Sequence, residues 1–139
     1  MLTGRLLHPQ ILGALARAGH GSRILVADGN YPHWTTRGPN AEVVFLNLSP
    51  GLVSATDVVA ALLTSVRVEA AAVMATPPGD PEPPIWEELR GLLGFDEPLE
   101  PIERFAFYEA AAGPDVALTV ASADERLYAN VLLTVGVAA

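Results

Sequence analysis

Hydrophobic and polar positions along this chain follow two periods, one typical of helices and the other of buried strands. The segment that begins at Pro9 predicts a helix, which Gly19 is well placed to end. Its apolar residues share one helical face: Ile11, Leu12, Leu15 and Ala16. The runs RILVA at 23–27 and EVVFLN at 42–47 are continuous and β-branched, so they predict buried strands.

The middle of the chain repeats this alternation. Ser54 and Asp57 have the spacing of a helix start signal, and an apolar stripe at 58–66 follows them. The run RVEAAAVM at 67–74 is interpreted as a third strand, although its alanines also suit a helix. A helix between two strands is the unit from which parallel sheets are built.

The last third adds helices and two closing strands. Five prolines exclude regular structure from the loop at 76–84, which leads into a helix with an apolar stripe at 85–93. A further helix is predicted at 102–113, and strands at 116–122 and 128–135 surround the polar turn ADER. Helices alternating with buried strands predict an α/β fold: one three-layer domain over 1–139, with a central, largely parallel sheet flanked by helices.

Composition narrows the class of protein. Half of the 139 residues are hydrophobic and 17% are charged, which excludes a disordered chain. The net charge of −8 repels phosphate, so nucleic acid and anionic membranes are not expected as partners. Cysteine is absent, which removes disulfides and thiolate chemistry. Without a long apolar run or a signal pattern, we expect a soluble cytoplasmic protein.

The stretch GHGSRILVADGNYP at 19–32 is the first candidate for chemistry. His20 lies between glycines before a buried strand, and Asp28 follows that strand. The order differs from a dinucleotide-binding motif, which needs strand, glycine turn and then helix. The three histidines lack the spacing of a metal-binding helix, so no metal site is expected.

Each polar residue also has a purely structural interpretation. His20 would cap the end of the first helix, and Asp28 would form a turn with the Gly and Asn that follow it. Arg104 and Tyr108 are four apart on a predicted helix and would pack together. Tyr128 and Asn130 are two apart in a predicted strand and would share one face. Spacing alone therefore predicts no particular activity.

In combination, three motifs resemble one family. ALARAGHGSRILVADGNYP, IERFAFYEAA and LYANVLLTVGV occur in the order expected of the RbsD/FucU family of sugar mutarotases, nearly from end to end. The resemblance implies an RbsD-like α/β fold, a ring-shaped homo-oligomer, often a decamer, and no cofactor. It implies that His20 is the catalytic acid. The sugar-binding positions that it implies are Asp28, Arg104, Tyr128, Ala129 and Asn130.

The resemblance is closer to the L-fucose branch than to the D-ribose branch, because of RFAFYE and DGNYP. There are departures: EVVFLNLS replaces an Arg-Ala-Asp-Gly stretch, ASADERLY replaces a Thr-Gly-Glu turn, and Ala110 replaces an arginine. The leading hypothesis is an isomerase that interconverts the anomers of a monosaccharide, L-fucose in the first place. The alternatives are a D-ribose pyranase and a non-catalytic monosaccharide-binding oligomer.

The residues suit this reaction chemically. Opening a hemiacetal ring requires one proton to leave the anomeric hydroxyl while another reaches the ring oxygen, and reclosure reverses both transfers. Histidine, with an ordinary pKa of about 6.5, exchanges protons near neutrality. We assign His20 as acid/base and leave either Tyr128 or Asp28 as its partner. Asp28, Arg104 and Asn130 offer hydrogen bonds to hydroxyls.

The spacing of His20 and Asp28 raises a geometric problem. At roughly 3.3 Å per residue, an extended strand places them up to about 25 Å apart, which a monosaccharide cannot span. Either the chain bends sharply at a flanking glycine, or His20 of one subunit completes the pocket of a neighbour. We favour the second hypothesis, which places the site at a subunit interface.

Overall fold

Six strands form one mixed sheet in the computed structural model, which describes residues 1–94 and 98–138. The strands are β1 (Arg23–Ala27), β2 (Glu42–Phe45), β3 (Val68–Met74), β4 (Glu100–Ile102), β5 (Val116–Ala121) and β6 (Val131–Val135). Their order across the sheet is β2-β5-β1-β6-β3-β4. Within the described sheet, β6 runs antiparallel to both of its neighbours, and every other pair is parallel. The predicted, largely parallel sheet is confirmed.

In the described part of the chain, four helices cover the two faces of this sheet. They are α1 (Pro9–Arg17), α2 (Ala55–Leu62), α3 (Pro84–Leu93) and α4 (Arg104–Ala111). Alternate side chains of β1 point to opposite faces: Ile24 and Val26 enter a core with residues of α1, α2 and α3, whereas Leu25 and Ala27 pack with α4. Burial on both faces explains why β1 is apolar throughout, and the three-layer prediction is confirmed.

The helix boundaries follow local signals in the sequence. The predicted start signal of α2 is a capping box, in which Ser54 Oγ accepts the Asp57 N–H at 3.0 Å and the Asp57 carboxylate accepts the Ser54 N–H. His8 caps α1 by accepting the Ile11 N–H on Nδ1. The helix α1 ends at Arg17, before the predicted stop at Gly19.

The carboxyl-terminal half differs from the prediction in two respects. Strand β4 was missed, because three residues with a central proline give no strand signal, and proline is tolerated there since β4 lies at the edge of the sheet. The last two strands do not form a hairpin around ADER, since β1 lies between β5 and β6 and pairs with both. In this position the backbone N–H and C=O groups of β1 form hydrogen bonds with strands on both sides.

The strand termini form two opposite ends of the sheet. At one end β1 and β3 finish and β6 begins, and at the other end β1 and β3 begin and β6 finishes. Loops from several parts of the chain meet at the first end, and ligands of open α/β sheets bind at such a position. No described helix is long and apolar enough to span a bilayer.

Candidate functional site

A cavity of about 250 Å³ opens at the end of the sheet where β1 and β3 finish and β6 begins. Its polar lining consists of Asp28, Asn30, Arg104, Tyr108, Tyr128 and Asn130. Its other walls are Tyr31, Met74 and Leu127. The volume is slightly below the usual range for ligand pockets, which suits one small polar molecule.

Asp28 lies directly after β1 and is 5% exposed. Its Oδ1 accepts the Asn30 backbone N–H at 2.9 Å, so the predicted turn exists in addition to any chemical role. Burial raises the pKa of Asp28 above its ordinary value, and hydrogen bonds from the Asn30 backbone and the Asn130 side chain offset this only in part. The carboxyl group therefore exchanges its proton closer to neutrality than an exposed aspartate does.

Tyr128 reaches the cavity from a turn, and the prediction that it lies in a strand with Asn130 was wrong. Strand β6 begins at Val131, and Tyr128 has a φ of 61°, in the left-handed region that non-glycine residues rarely adopt. Such a backbone costs about 1–3 kcal/mol and is often found at functional sites. The Trp86 indole N–H donates to the Tyr128 carbonyl oxygen at 3.4 Å and supports this conformation.

The two residues that follow Tyr128 differ in their placement. Asn130 is 4% exposed, and its Oδ1 accepts the Asp28 backbone N–H at 2.8 Å. Ala129 is 1% exposed and packs in the apolar core on the helix-rich face of the sheet. Of the predicted sugar-binding run, the side chains of Tyr128 and Asn130 therefore line the cavity, and that of Ala129 does not.

Arg104 begins α4 and extends over the cavity. Its Nε donates to the Tyr108 hydroxyl at 3.1 Å, one helical turn later, as the four-residue spacing predicts. The Tyr108 ring packs edge-on against Tyr31, with ring centroids 5.4 Å apart, and Tyr31 in turn contacts Phe107 at 6.2 Å. This aromatic cluster fixes the wall that orients the guanidinium.

Asp124 is a buried carboxylate that the sequence analysis treated as part of an ordinary turn. Its oxygens accept the Ala55 N–H at 2.9 Å and a bidentate pair from Arg126, at 3.0 and 2.8 Å. Arg126 also contacts Glu88 on α3 and Thr56 on α2. These contacts brace the loop that carries Tyr128. The signal in the sequence that could have identified Asp124 was its polar turn, which lies close to Tyr128, Ala129 and Asn130.

His20 lies at the other end of the strands, away from the cavity. The next residue, Gly21, donates its N–H to the carbonyl oxygen of Val135 at 2.9 Å, and Val135 is the last residue of β6. Asn130 precedes the first residue of the same strand. The His20 imidazole is exposed, and its Nε2 is 3.0 Å from the carboxylate of Glu69, so it does not cap α1 as its position suggested.

The structure therefore brings together Asp28, Arg104, Tyr128 and Asn130, and it leaves His20 of the same chain outside their cavity. The sequence did not identify five of the lining residues: Asn30, Tyr31, Met74, Tyr108 and Leu127. Of these residues, Met74 was the easiest to predict from the sequence, because it ends a predicted strand whose carboxyl end must meet that of β1. Among residues 1–94 and 98–138, no three His, Asp or Glu side chains cluster closely enough to hold a metal ion.

Comparisons with known proteins place this arrangement in context. The model of the RbsD / FucU transport protein family matches residues 1–138. A Homo sapiens protein named fucose mutarotase is 39% identical over 144 residues, covering 96% of this chain and 91% of that protein. The Danio rerio fucose mutarotase is 32% identical over 145 residues, covering 95% and 90% respectively.

Solved structures agree with this fold. FucU from Bifidobacterium longum superposes with a TM-score of 0.82 at 32% identity, covering 97% of this chain and 99% of that one. The fucose mutarotase of Streptococcus pneumoniae in complex with L-fucose has a TM-score of 0.81 at 26% identity, with 95% and 94% coverage. Bacillus subtilis RbsD complexed with D-ribose, at 23% identity and a TM-score of 0.82, has the same fold.

Proposed function

The chain belongs to the RbsD/FucU family, and we propose that it is an isomerase that interconverts the anomers of L-fucose. Relatives named fucose mutarotase align with it over almost their whole length. The observation that carries the proposal is the cavity in which Asp28, Arg104, Tyr128 and Asn130 meet. Carboxylate, guanidinium, phenol and amide groups together offer the donors and acceptors that a ring of hydroxyl groups needs.

The reaction is a pair of proton transfers around one carbon–oxygen bond. A base takes the proton of the anomeric hydroxyl, the bond from the anomeric carbon to the ring oxygen breaks, and an acid protonates that oxygen. The carbonyl then rotates, and the reverse transfers close the ring on its other face. No electrons are exchanged, so a positioned acid and base balance the step, and each contributes about 10²–10⁴-fold.

In this proposal His20 is the acid, and Asp28 or Tyr128 is the base. Asp28 is favoured as the base because it is buried at the cavity with a raised pKa. Tyr128 then binds the sugar through its ring face or hydroxyl, and Arg104 and Asn130 fix the remaining hydroxyl groups. Met74 and Leu127 form an apolar wall beside them, which suits the methyl group that distinguishes fucose from galactose.

We infer that the acid comes from a second subunit. Strand β1 lies between His20 and Asp28 and alone spans about 16 Å at 3.3 Å per residue, so one sugar cannot reach both residues of one chain. We therefore propose a ring-shaped homo-oligomer, a decamer by family resemblance, in which His20 of one subunit completes the cavity of the next. Ring closure by a repeated head-to-tail contact produces this kind of shared site.

Exposed apolar side chains support the association of subunits. Trp34 is 58% exposed, Phe45 is 51% exposed and Leu48 is 84% exposed. The Trp34 and Phe45 rings pack at 6.2 Å, so these two residues form a contiguous patch rather than isolated positions. Patches of this type on a folded chain mark interfaces.

NMR exchange spectroscopy tests the proposal directly, because it detects anomer exchange without a change in mass or absorbance. Purified protein is added in catalytic amounts to L-fucose, L-galactose, D-ribose and D-glucose. We expect acceleration for L-fucose that exceeds the acceleration for L-galactose, which differs only by a hydroxyl at the methyl position. Faster exchange of D-ribose pyranose and furanose forms would instead identify a ribose pyranase. Acceleration of none of the sugars would leave the non-catalytic binding alternative.

A further inference from the structure

We propose that Glu69 is a positioning residue for His20, which holds the imidazole so that Nδ1 is the nitrogen that exchanges its proton with the sugar. The inference rests on the proposed function, in which His20 is the acid. It concerns a residue that lies outside the cavity and outside the motifs that identify the family.

The two side chains meet across the end of a strand. His20 lies in the turn between α1 and β1, and Glu69 lies in β3, with β6 between those strands. Nε2 of His20 is 3.0 Å from both Oε1 and Oε2 of Glu69. The turn that presents His20 is tied to the same place, because the Gly21 N–H donates to the carbonyl oxygen of Val135 at the end of β6.

An irregularity in β3 places the carboxylate there. The pairing of β3 with β6 passes from Val68 opposite Val135 to Ala70 opposite Thr134, so Glu69 is the extra residue of a β-bulge. A bulge redirects a side chain out of the regular alternation, and bulges are over-represented next to active sites. A Cβ at Gly136 would lie 3.2 Å from the Glu69 Cβ, so the glycine lets the bulged backbone approach closely.

The contact decides which nitrogen does the chemistry. An ionised carboxylate only accepts hydrogen bonds, so Nε2 must carry the hydrogen that it receives. In neutral His20 the lone pair is then on Nδ1, and in the cation the second proton is on Nδ1. As the ring carbon–oxygen bond breaks, that proton moves from Nδ1 to the ring oxygen, and it returns to Nδ1 on reclosure. A carboxylate that orients a functional imidazole in this way is a recurring arrangement.

The pair is well suited to a test, because it contributes little to folding. His20 and Glu69 are 58% and 46% exposed, and exposed ion pairs contribute about 0–1 kcal/mol to stability. The variants are Glu69→Ala, which removes the acceptor, and Glu69→Gln, which keeps an acceptor oxygen without the charge. The control is Glu42→Ala, which breaks another exposed ion pair, that of Glu42 with Arg17 at 2.6 Å.

The first measurement is the imidazole ¹⁵N spectrum, which distinguishes the two neutral tautomers. The chain has three histidines, and His20→Ala identifies the signals of His20. In wild type and in Glu69→Gln, we expect neutral His20 to carry its hydrogen on Nε2. In Glu69→Ala, we expect the Nδ1–H form to become populated, and the Glu42→Ala spectrum to match wild type.

The second measurement is anomer exchange of L-fucose at several sugar concentrations. We expect kcat to fall about tenfold in Glu69→Ala with KM little changed, and to be largely retained in Glu69→Gln. A wild-type tautomer in Glu69→Ala, or an unchanged kcat, would overturn the positioning role. If wild type exchanges none of the sugars while the tautomer still shifts in Glu69→Ala, the proposed function is wrong and the orientation of His20 by Glu69 is retained.

Discussion

The backbone N–H of Asp28 donates to Oδ1 of Asn130 at 2.8 Å, and this buried bond joins the end of β1 to the residue before β6. The strands are antiparallel neighbours, so the bond continues their ladder by one side-chain contact. It therefore sets the distance between two groups that line the cavity, the Asp28 carboxylate and the Asn130 side chain.

Replacing Asn130 by alanine should therefore weaken both folding and function. The Asp28 N–H would be buried without an acceptor, which lowers the free energy of unfolding by about 1–3 kcal/mol. Urea denaturation measures that loss, and exchange spectroscopy measures the accompanying fall in kcat/KM. Asn47→Ala removes an exposed amide and should change stability by less than about 0.5 kcal/mol. Equal stability of the two variants would contradict the importance of this bond.

Mixing two inactive variants tests the shared site. In the proposed mechanism, His20→Ala lacks the acid and Asp28→Asn lacks the base, so each variant should be inactive alone. In a randomly mixed ring, about a quarter of the sites receive Asp28 from one variant and His20 from the other, so co-expression should restore about a quarter of wild-type activity. The control is each variant mixed with itself. No recovery in demonstrably mixed oligomers would exclude a site built from two chains.

Arg104 should act mainly on sugar binding. Losing a hydrogen bond from a charged group costs about 1.5–3 kcal/mol, so Arg104→Gln should raise KM for L-fucose by at least about tenfold with a smaller change in kcat. The KM and kcat from exchange rates at several sugar concentrations separate the two effects. Arg5→Gln, at an exposed position near the amino terminus, is the matched charge control. A fall confined to kcat would instead place Arg104 in the chemical step.

Because of the hydrogen bonds that Asp124 accepts, the free energy of unfolding should decrease as the pH falls into the acid range. Burial disfavours the charge on Asp124, but hydrogen bonds from Arg126 and from the Ala55 backbone outweigh burial and hold the pKa of Asp124 below its ordinary value. The unfolded chain therefore binds this proton first as the pH falls. The stabilisation is complete above the unfolded pKa of about 4 and is lost as the pH falls through the lower folded value.

Asp124→Asn should remove this contribution. The free energy of unfolding at pH 7 should fall by about 1.5–3 kcal/mol, and the difference from wild type should shrink in acid. Urea titrations at neutral and acid pH measure both effects, with Asp80→Asn as a control in an exposed loop. A difference that stays constant down to pH 2 would show that the Asp124 charge does not matter.

Unlike the Asp124 carboxylate, the buried hydroxyl of Tyr31 forms no hydrogen bond with any described residue. Tyr31 is 5% exposed, its hydroxyl lacks a hydrogen-bond partner within the described residues, and burial raises its pKa to about 12. Tyr31→Phe removes an unsatisfied polar atom, so the free energy of unfolding should stay equal or rise by about 1 kcal/mol.

The matched control for Tyr31→Phe is Tyr108→Phe. This change deletes a hydroxyl that accepts from Arg104, so it should raise the KM for L-fucose. Urea denaturation and exchange kinetics on both variants make the comparison. A marked loss of stability in Tyr31→Phe would reveal a hidden partner for that hydroxyl.

Much of the fold followed from the sequence, because it depends on patterns that are local. The continuous apolar run of β1 predicted burial on both faces, and Ser54 with Asp57 predicted the start of α2. Asp28, Arg104, Tyr128 and Asn130 were proposed through motifs, and the structure places all four around one cavity.

Only the tertiary structure decided what depends on contacts between distant segments. The insertion of β1 between β5 and β6 is a choice of strand partner, and no local pattern encodes it. The left-handed backbone of Tyr128 is held by an indole from α3, and the buried charge of Asp124 is compensated from α2 and Arg126. The sequence by itself determined which groups are available for chemistry. The packing of the sheet decided that four of them meet at one edge while His20 and Glu69 lie at the other, because a strand separates its two ends by its own length.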